Sequence, residues 1–313
     1  MTNVHQLIVQ HGVEGARTRA RDAHERRLVD LAFEVMGDDE GSFGINYAGF
    51  CVTSFPHRDL GDRNRRWFRK NGRFSLLVEP GAIIVNGEPV EYGVPFGARA
   101  RLIMLHLQSR AIQTNSREVE LGASMFDWMR RMGVTNGGKT YAQVQEQAFR
   151  ISACRLTIGW QGDTGAQGFR QENITSGMFL IPSRDPGQPR LWNDTVTLTE
   201  SFFEALKKHP VPVNERAIRA LSNQSAALDT YVWLCYRLWK LQKSARIHWA
   251  PLKEQFGPEY GRMSNFKMRF IESLQDAMAV YPDARIEIDD AGIILHPSRP
   301  AVPDRRIFAL KSV

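Results

Sequence analysis

Residues 133–140 read Gly-Val-Thr-Asn-Gly-Gly-Lys-Thr, so Gly133, Gly138, Lys139 and Thr140 complete the phosphate-loop pattern G-x-x-x-x-G-K-[ST]. That pattern makes a strict demand on the fold. A strand must end at the first glycine and a helix must begin after the lysine, so that backbone N–H groups and a helix start surround the phosphates. The helix side fits and the strand side does not. Upstream, Met125, Trp128, Met129 and Met132 fall at i, i+3, i+4 and i+7, and Ser124 with Asp127 three residues later is a helix-start signal. A helix therefore enters the glycines. Helix, short glycine turn, second helix is the layout of a helix-turn-helix, whose second helix lies in the DNA major groove.

A chain of 313 residues with 42% apolar content has room for two ordinary domains with real cores. Lys and Arg outnumber Asp and Glu by 41 to 34, and the resulting +7 permits an acidic partner without naming one. No apolar run reaches the 18 residues of a membrane span and no secretory h-region stands at the N-terminus, so a cytoplasmic, membrane-free protein is expected. Cys51, Cys154 and Cys235 are far apart and lack a C-x-x-C or a nearby His, which predicts buried thiols, not a disulfide framework or a zinc site.

Along the chain, the Arg-rich residues 14–36 carry Leu28, Leu31, Ala32 and Val35 on one helical stripe, and Gly37 to Gly41 breaks the pattern. Short β-like runs follow at 50–55, 74–78, 82–85 and 89–92, with Asn86-Gly87 as a two-residue hairpin signal. A unit then occurs twice. Its first copy predicts a helix at 98–113, a strand at 118–121, helices at 124–132 and 140–153, a strand at 154–160, a Gly-rich loop at 161–168 and a returning strand at 178–181. The second predicts a helix at 225–241, a strand at 245–248, helices at 250–256 and 263–280, and a hairpin of 284–288 with 293–296. The expected class is α/β (α+β): tandem winged-helix domains with an extra N-terminal β-rich segment. The proline-rich 182–189, or the stretch near His209-Pro-Val-Pro212, marks the boundary. The layout is then an Arg-rich helix or arm over 1–41, a first domain over 42–185, a second over 186–300 and a tail over 301–313.

In the helix after the glycine turn, Tyr141, Val144, Ala148 and Ile151 form an apolar stripe. Thr140, Gln143, Gln147 and Arg150 share another face. Gln can bond adenine N6 and N7, and Arg can bond guanine O6 and N7, so these types suit direct base readout; a solvated helix face needs nothing more. Thr140 with Gln143 also fits a capping box, and Lys139 would stand close to a docked phosphate. In the last long helix Phe266, Phe270, Leu274 and Ala277 pack, while Arg262, Asn265, Arg269 and Glu272 share the opposite side, again as readers or as a plain surface. Arg63, Arg65, Arg66, Arg69, Lys70 and Arg73, with Trp67 and Phe68 among them, read as a phosphate-contacting loop or simply a solubilising one.

The catalytic inventory is short. No H-E-x-x-H, G-x-S-x-G or H-x-H occurs. The acid a phosphate-loop NTPase needs after an apolar strand could come only from Ile286-Glu287-Ile288-Asp289, which alternates like a half-exposed hairpin. Catalytic residues, metals and cofactors are therefore not expected.

The strings Cys51-Val-Thr-Ser-Phe-Pro-His57, Arg69-Lys-Asn-Gly-Arg73, Leu76-Leu-Val-Glu-Pro-Gly81, Ser116-Arg-Glu-Val-Glu-Leu-Gly122, Gly137-Gly-Lys-Thr-Tyr141 and Arg150-Ile-Ser-Ala-Cys-Arg-Leu156 resemble the plasmid-encoded RepA replication initiators of proteobacteria. So do His209-Pro-Val-Pro212, Ala217-Ile-Arg-Ala-Leu-Ser222 and Leu295-His-Pro-Ser-Arg-Pro300, and the likeness runs from about residue 43 to 300. It implies a non-enzymatic protein that binds repeated, iteron-type sites in double-stranded plasmid origin DNA. It also implies opening of that origin for host replication proteins such as a helicase or initiator, and repression of the protein's own gene. Related initiators pair two winged-helix domains and shift between a repressing homodimer and an initiating monomer. A winged-helix transcriptional repressor and a phosphate-loop NTPase are the two alternatives.

Overall fold

The computed structural model describes residues 4–36, 42–85, 87–120, 122–134, 138–162, 165–179 and 195–303. The chain divides into two compact units, one of Met1–Gly44 with Val211–Val313 and one of Ile45–Pro210.

The first unit opens with α1 (Val4–Arg19) and α2 (Ala23–Val35), packed on each other. Where one leading helix was expected, Asp22 makes two: its backbone is extended and its side chain accepts the Glu25 N–H at 2.8 Å, an N-cap that starts a fresh helix. Leu28, Leu31, Ala32 and Val35 of α2 are all buried, as their spacing requires. The breaker at 37–41 lies outside the described residues.

The second unit runs from β1 (Phe43–Tyr47) through α3 (Ala48–Val52), β2 (Trp67–Asn71), β3 (Phe74–Glu79), β4 (Gly81–Val85) and β5 (Glu88–Tyr92) to α4 (Gly97–Thr114). It continues with β6 (Glu118–Glu120), α5 (Gly122–Arg131), α6 (Gly138–Ala153), β7 (Arg155–Gln161), β8 (Gln167–Asn173), β9 (Thr175–Phe179), β10 (Thr195–Leu198) and α7 (Glu200–Lys208). Helix α4 is its spine: Ala100, Leu102, Ile103, Leu107 and Ala111 are at most 2% exposed. Even its polar groups work inward, with Arg101 donating to the carbonyls of Phe55, Pro56 and Gly97. The expected hairpin at Asn86-Gly87 is present as β4 and β5, paired from Gly81↔Tyr92 to Val85↔Glu88.

Three expectations in this unit are corrected. The run at 50–55 is not a strand, because Tyr47 and Phe50, three apart, turn their rings onto Phe202 at 5.8 and 6.3 Å, a convergence that a helical turn allows and alternation does not. The Gly-rich loop expected over 161–168, of which residues 163 and 164 lie outside the described ones, is shorter: Gly162 N–H meets Ala166 O at 2.7 Å with Gly165 at φ 81°, β7 runs to Gln161, and β8 starts at Gln167. The two join β2 and β3 in an antiparallel sheet ordered β2-β3-β7-β8. Finally, β9 pairs with β10, which pairs with β6. The proline-rich 182–189 thus connects two strands of one sheet, although its own residues lie outside the described ones. The boundary set at 185/186 is therefore withdrawn in favour of the division at 210/211, beside the other expected position at His209.

The chain returns to the first unit through β11 (Pro210–Asn214), α8 (Glu215–Ala220), α9 (Ser225–Arg237) with a 3-10 turn at Leu238–Lys240, β12 (Ala245–His248), α10 (Trp249–Phe256), α11 (Met263–Ala279), β13 (Ile286–Ile288) and β14 (Gly292–Leu295). Every predicted element from 225 to 296 is present with ends within two residues, except that the helix expected over 225–241 stops at Arg237 and passes into the 3-10 turn. Strands β12, β14 and β13 form an antiparallel sheet in that order, with Ile293 opposite both Ile247 and Ile288. Helix α2 packs on α8 and α11, so residues 4–35 are an integral layer of this unit, not the separate arm expected over 1–41. Residues 304–313 of the expected tail lie outside the described residues. Cys51, Cys154 and Cys235 are buried thiols, as predicted. Among the described residues no helix is long and apolar enough to cross a membrane.

Candidate nucleic-acid interface

Helix α11 sorts its side chains as the sequence pattern requires. Phe266, Phe270, Leu274 and Ala277 are at most 4% exposed, and Phe270 stacks on Phe266 at 5.4 Å and meets Phe256 of α10 at 5.0 Å. The turn from α10 into α11 needs a glycine at 257, since an added Cβ would lie 2.5 Å from the Tyr260 ring and 2.9 Å from that of Phe266. Arg262, Asn265 and Arg269 are exposed in one row along the flank of the Phe266–Phe270 stripe, not opposite it as expected. Arg269 pairs with Glu272 at 3.1 Å, both side chains largely in water, a contact worth at most about 1 kcal/mol and readily exchanged for a phosphate or base. Lys267 faces elsewhere: its ammonium sits 4.9 Å above the Trp249 ring and donates to Asp290 O at 3.2 Å.

The back of α11 is fixed by the N-terminal helices. Arg27 of α2 donates to both carboxylate oxygens of Asp276 at 2.8 Å, and Asp276 is 2% exposed. Burial pushes the Asp276 carboxyl above its usual range, and the Arg27 charge opposes that shift. His24 pairs with Gln275 at 2.7 Å and His5 with Ala279 O at 2.8 Å. Sequence reading missed this clamp, because an Arg-rich stretch looks alike whether its cations face water or one buried carboxylate.

The helix after the glycine turn behaves differently. A helix, α5, does precede Gly133, and Trp128, Met129 and Met132 are buried; a phosphate loop would need a strand there. Thr140 was assigned the N-cap, but α6 begins at Gly138 and Thr140 stands within its first turn, half-buried. Gln143 is exposed. Gln147 and Arg150, on the same face further along, are corrected: they are 4% and 6% exposed and cannot reach a base. Gln147 accepts the Phe96 N–H at 2.9 Å. Arg150 donates to Val94 O at 3.1 Å, to Asp59 at 3.2 Å and to Glu146 at 2.8 Å, with its guanidinium 4.9 Å from the Phe96 ring. The strap entering α4 covers the lower half of the expected reading face, and these two side chains hold it there. Residues 135–137, with Gly137, and the side chains of Met125, Lys139 and Tyr141 lie outside the described residues.

The basic stretch divides by exposure. Trp67 to Asn71 is strand β2, so its side chains alternate. Trp67 and Arg69 point inward: the Trp67 indole donates to Ser54 O at 2.7 Å, and the Arg69 guanidinium lies 3.9 Å over the Trp67 ring at 4% exposure. Arg69 is therefore withdrawn as a phosphate contact. Arg63, Arg65, Arg66, Lys70 and Arg73 are exposed, with Arg66 3.3 Å from Glu79 and Arg63 donating to Glu91 O at 3.3 Å. The acid of the phosphate-loop alternative, Asp289, instead closes the β13–β14 turn by accepting from the Ala291 and Gly292 N–H groups and from Arg246.

The fold is a mixed α/β arrangement, similar to that of domains 2 and 3 of RctB. A selenomethionine crystal structure of those domains aligns with a TM-score of 0.50 at 12% identity, over 80% of this chain and 95% of that one. A second structure of RctB domains 2–3 aligns at a TM-score of 0.42 and 10% identity, over 74% and 88%. No curated protein sequence matches the chain. The family model of the plasmid-encoded RepA protein matches residues 94–250, half of the chain, from the strap before α4 through β12. The chain belongs to that family of plasmid replication proteins.

Proposed function

We propose that this protein initiates plasmid replication by binding repeated, iteron-type sites in double-stranded origin DNA, with α11 in the major groove, and that the same contacts repress its own gene. Membership in the RepA family supports the replication role. The observation that carries the DNA contact is the exposed row Arg262, Asn265 and Arg269, placed in the first two turns of a helix whose other face is locked into the core. Helix α9, strand β12, helices α10 and α11 and the β13–β14 hairpin are read as one winged helix. Strand β6, helices α5 and α6 and the β9–β10 pair are read as another, with β7 and β8 inserted. Arg63, Arg65, Arg66, Lys70 and Arg73 supply backbone contacts, joined by Lys139, Thr140 and Gln143 at the start of α6. Host replication proteins and a second copy of the chain are the expected partners, and the protein acts without cofactor or catalysis of its own.

Footprinting across the plasmid origin tests this. Protected sites should repeat at a spacing near one helical turn, about 10–10.5 bp or a multiple, and affinity should fall steeply with salt as counterions are released. Protection without repeats, or affinity indifferent to salt, would overturn it.

A further inference from the structure

Among the described residues of α11, Met268 is the one large apolar side chain that stands exposed. It stands one turn after Asn265, at the outer edge of the row formed by Arg262, Asn265 and Arg269, and is 52% exposed. Core logic does not place it there, since the buried stripe of α11 is complete with Phe266, Phe270, Leu274 and Ala277. Solubility does not favour it either, because an unbranched apolar chain at that edge leaves its thioether and methyl in water. In the major groove the 5-methyl of thymine is the one apolar feature on a base edge, and an apolar side chain is its complement. A flexible, polarisable thioether adapts its shape to such a contact.

We propose that Met268 reads a thymine methyl group, so that α11 recognises an A·T pair, with Asn265 on an adenine edge next to it. This rests on α11 being the base-reading helix. Asn bonds adenine N6 and N7 in a bidentate way, and one turn of helix brings positions 265 and 268 to the same patch of groove. The site is thereby assigned an A·T element, whereas Arg262 and Arg269 favour guanine.

The test uses the full chain and the origin duplex it protects in footprinting, prepared once with thymidine and once with deoxyuridine, which pairs identically but lacks the methyl. Burying one methyl is worth about 0.8 kcal/mol, so wild-type protein should bind the deoxyuridine duplex roughly four-fold more weakly per thymine contacted. Met268→Ala should bind both duplexes equally, at the weaker level, and Met268→Leu should restore the preference. Alanine favours the helix, so the variant should fold, which circular dichroism checks. Equal binding of the two duplexes by wild-type protein, or an unchanged preference in Met268→Ala, would overturn this proposal while leaving α11 as the DNA-binding helix. Failure to bind either duplex in a salt-dependent manner would instead overturn the reading on which it rests.

Discussion

Helices α6 and α11 carry the same pattern, an apolar stripe flanked by a row of Gln, Asn and Arg, and each follows a shorter helix and a turn. In α11 the row stays in water. In α6 it is exposed only near the start, and Gln147 and Arg150 are covered by the segment that enters α4. Polar residues at helical spacing therefore announce a second face without saying what that face meets. A guanidinium matches a carbonyl and two carboxylates as well as it matches guanine, and only the path of a distant strap decides which it finds.

The largest expected effect separates these two helices directly. Arg150→Ala should lower stability by about 3 kcal/mol in urea unfolding, because it strands the Val94 carbonyl and removes the charge shared by Asp59 and Glu146. DNA sequence preference should not change. Relaxed preference at one base pair with unchanged stability would restore Arg150 as a reader.

Next comes the pH dependence of the second unit. His106 of α4 is 2% exposed, 5.5 Å from the Trp128 ring of α5, and burial pushes its imidazole down to about 4. The folded state refuses a proton that the unfolded chain accepts below its ordinary value of 6.5. Stability is thus fully present above pH 6.5 and falls by up to roughly 3 kcal/mol as pH drops toward 4. His106→Leu should flatten that slope in thermal melts across this range, and an unchanged slope would place the acid-sensitive group elsewhere.

For α11 the expected losses are in binding alone. Asn265→Ala or Arg262→Ala should cost about 1–3 kcal/mol of affinity and relax preference at one position, with stability changed by less than about 0.5 kcal/mol. Uniform loss over all sequences in a mobility-shift panel would reduce these residues to backbone contacts. The smallest effect belongs to the exposed stretch near β2: Arg66→Ala should weaken all sequences alike and lower the salt slope by about one, measured from affinity against salt concentration.

Elements with long, clean periodicity were legible in the sequence. The order from 225 to 296, the Asn86-Gly87 hairpin and the helix entering Gly133 are all present. Misread elements were those whose local signal was overruled at a distance. The start of the run at 50–55 became the end of helix α3, which brings Tyr47 and Phe50 onto Phe202, 152 or more positions away in the chain. The proline-rich 182–189 looked like a domain linker because proline and glycine mark any break, including one between two strands of a single sheet. Helix α7 was missed although Thr199 caps it, Lys207 and Lys208 close it, and Phe202, Phe203 and Leu206 share its buried side; the Arg27–Asp276 clamp was missed because no local pattern distinguishes it from a solvated surface.

Sequence alone determined which residues share a face. Period 3.6 put Arg262, Asn265 and Arg269 in one row along the flank of the Phe266–Phe270 stripe, and the resemblance to RepA proteins was carried by ordered strings of residues. Tertiary structure decided which of the polar faces remains open. It buried Arg69 by making its stretch a strand, exposed Lys70 beside it, and turned Arg150 from a reader into a brace. Periodicity is fixed by backbone geometry within a few residues, whereas exposure depends on what the rest of the chain lays over that face, which no local pattern encodes.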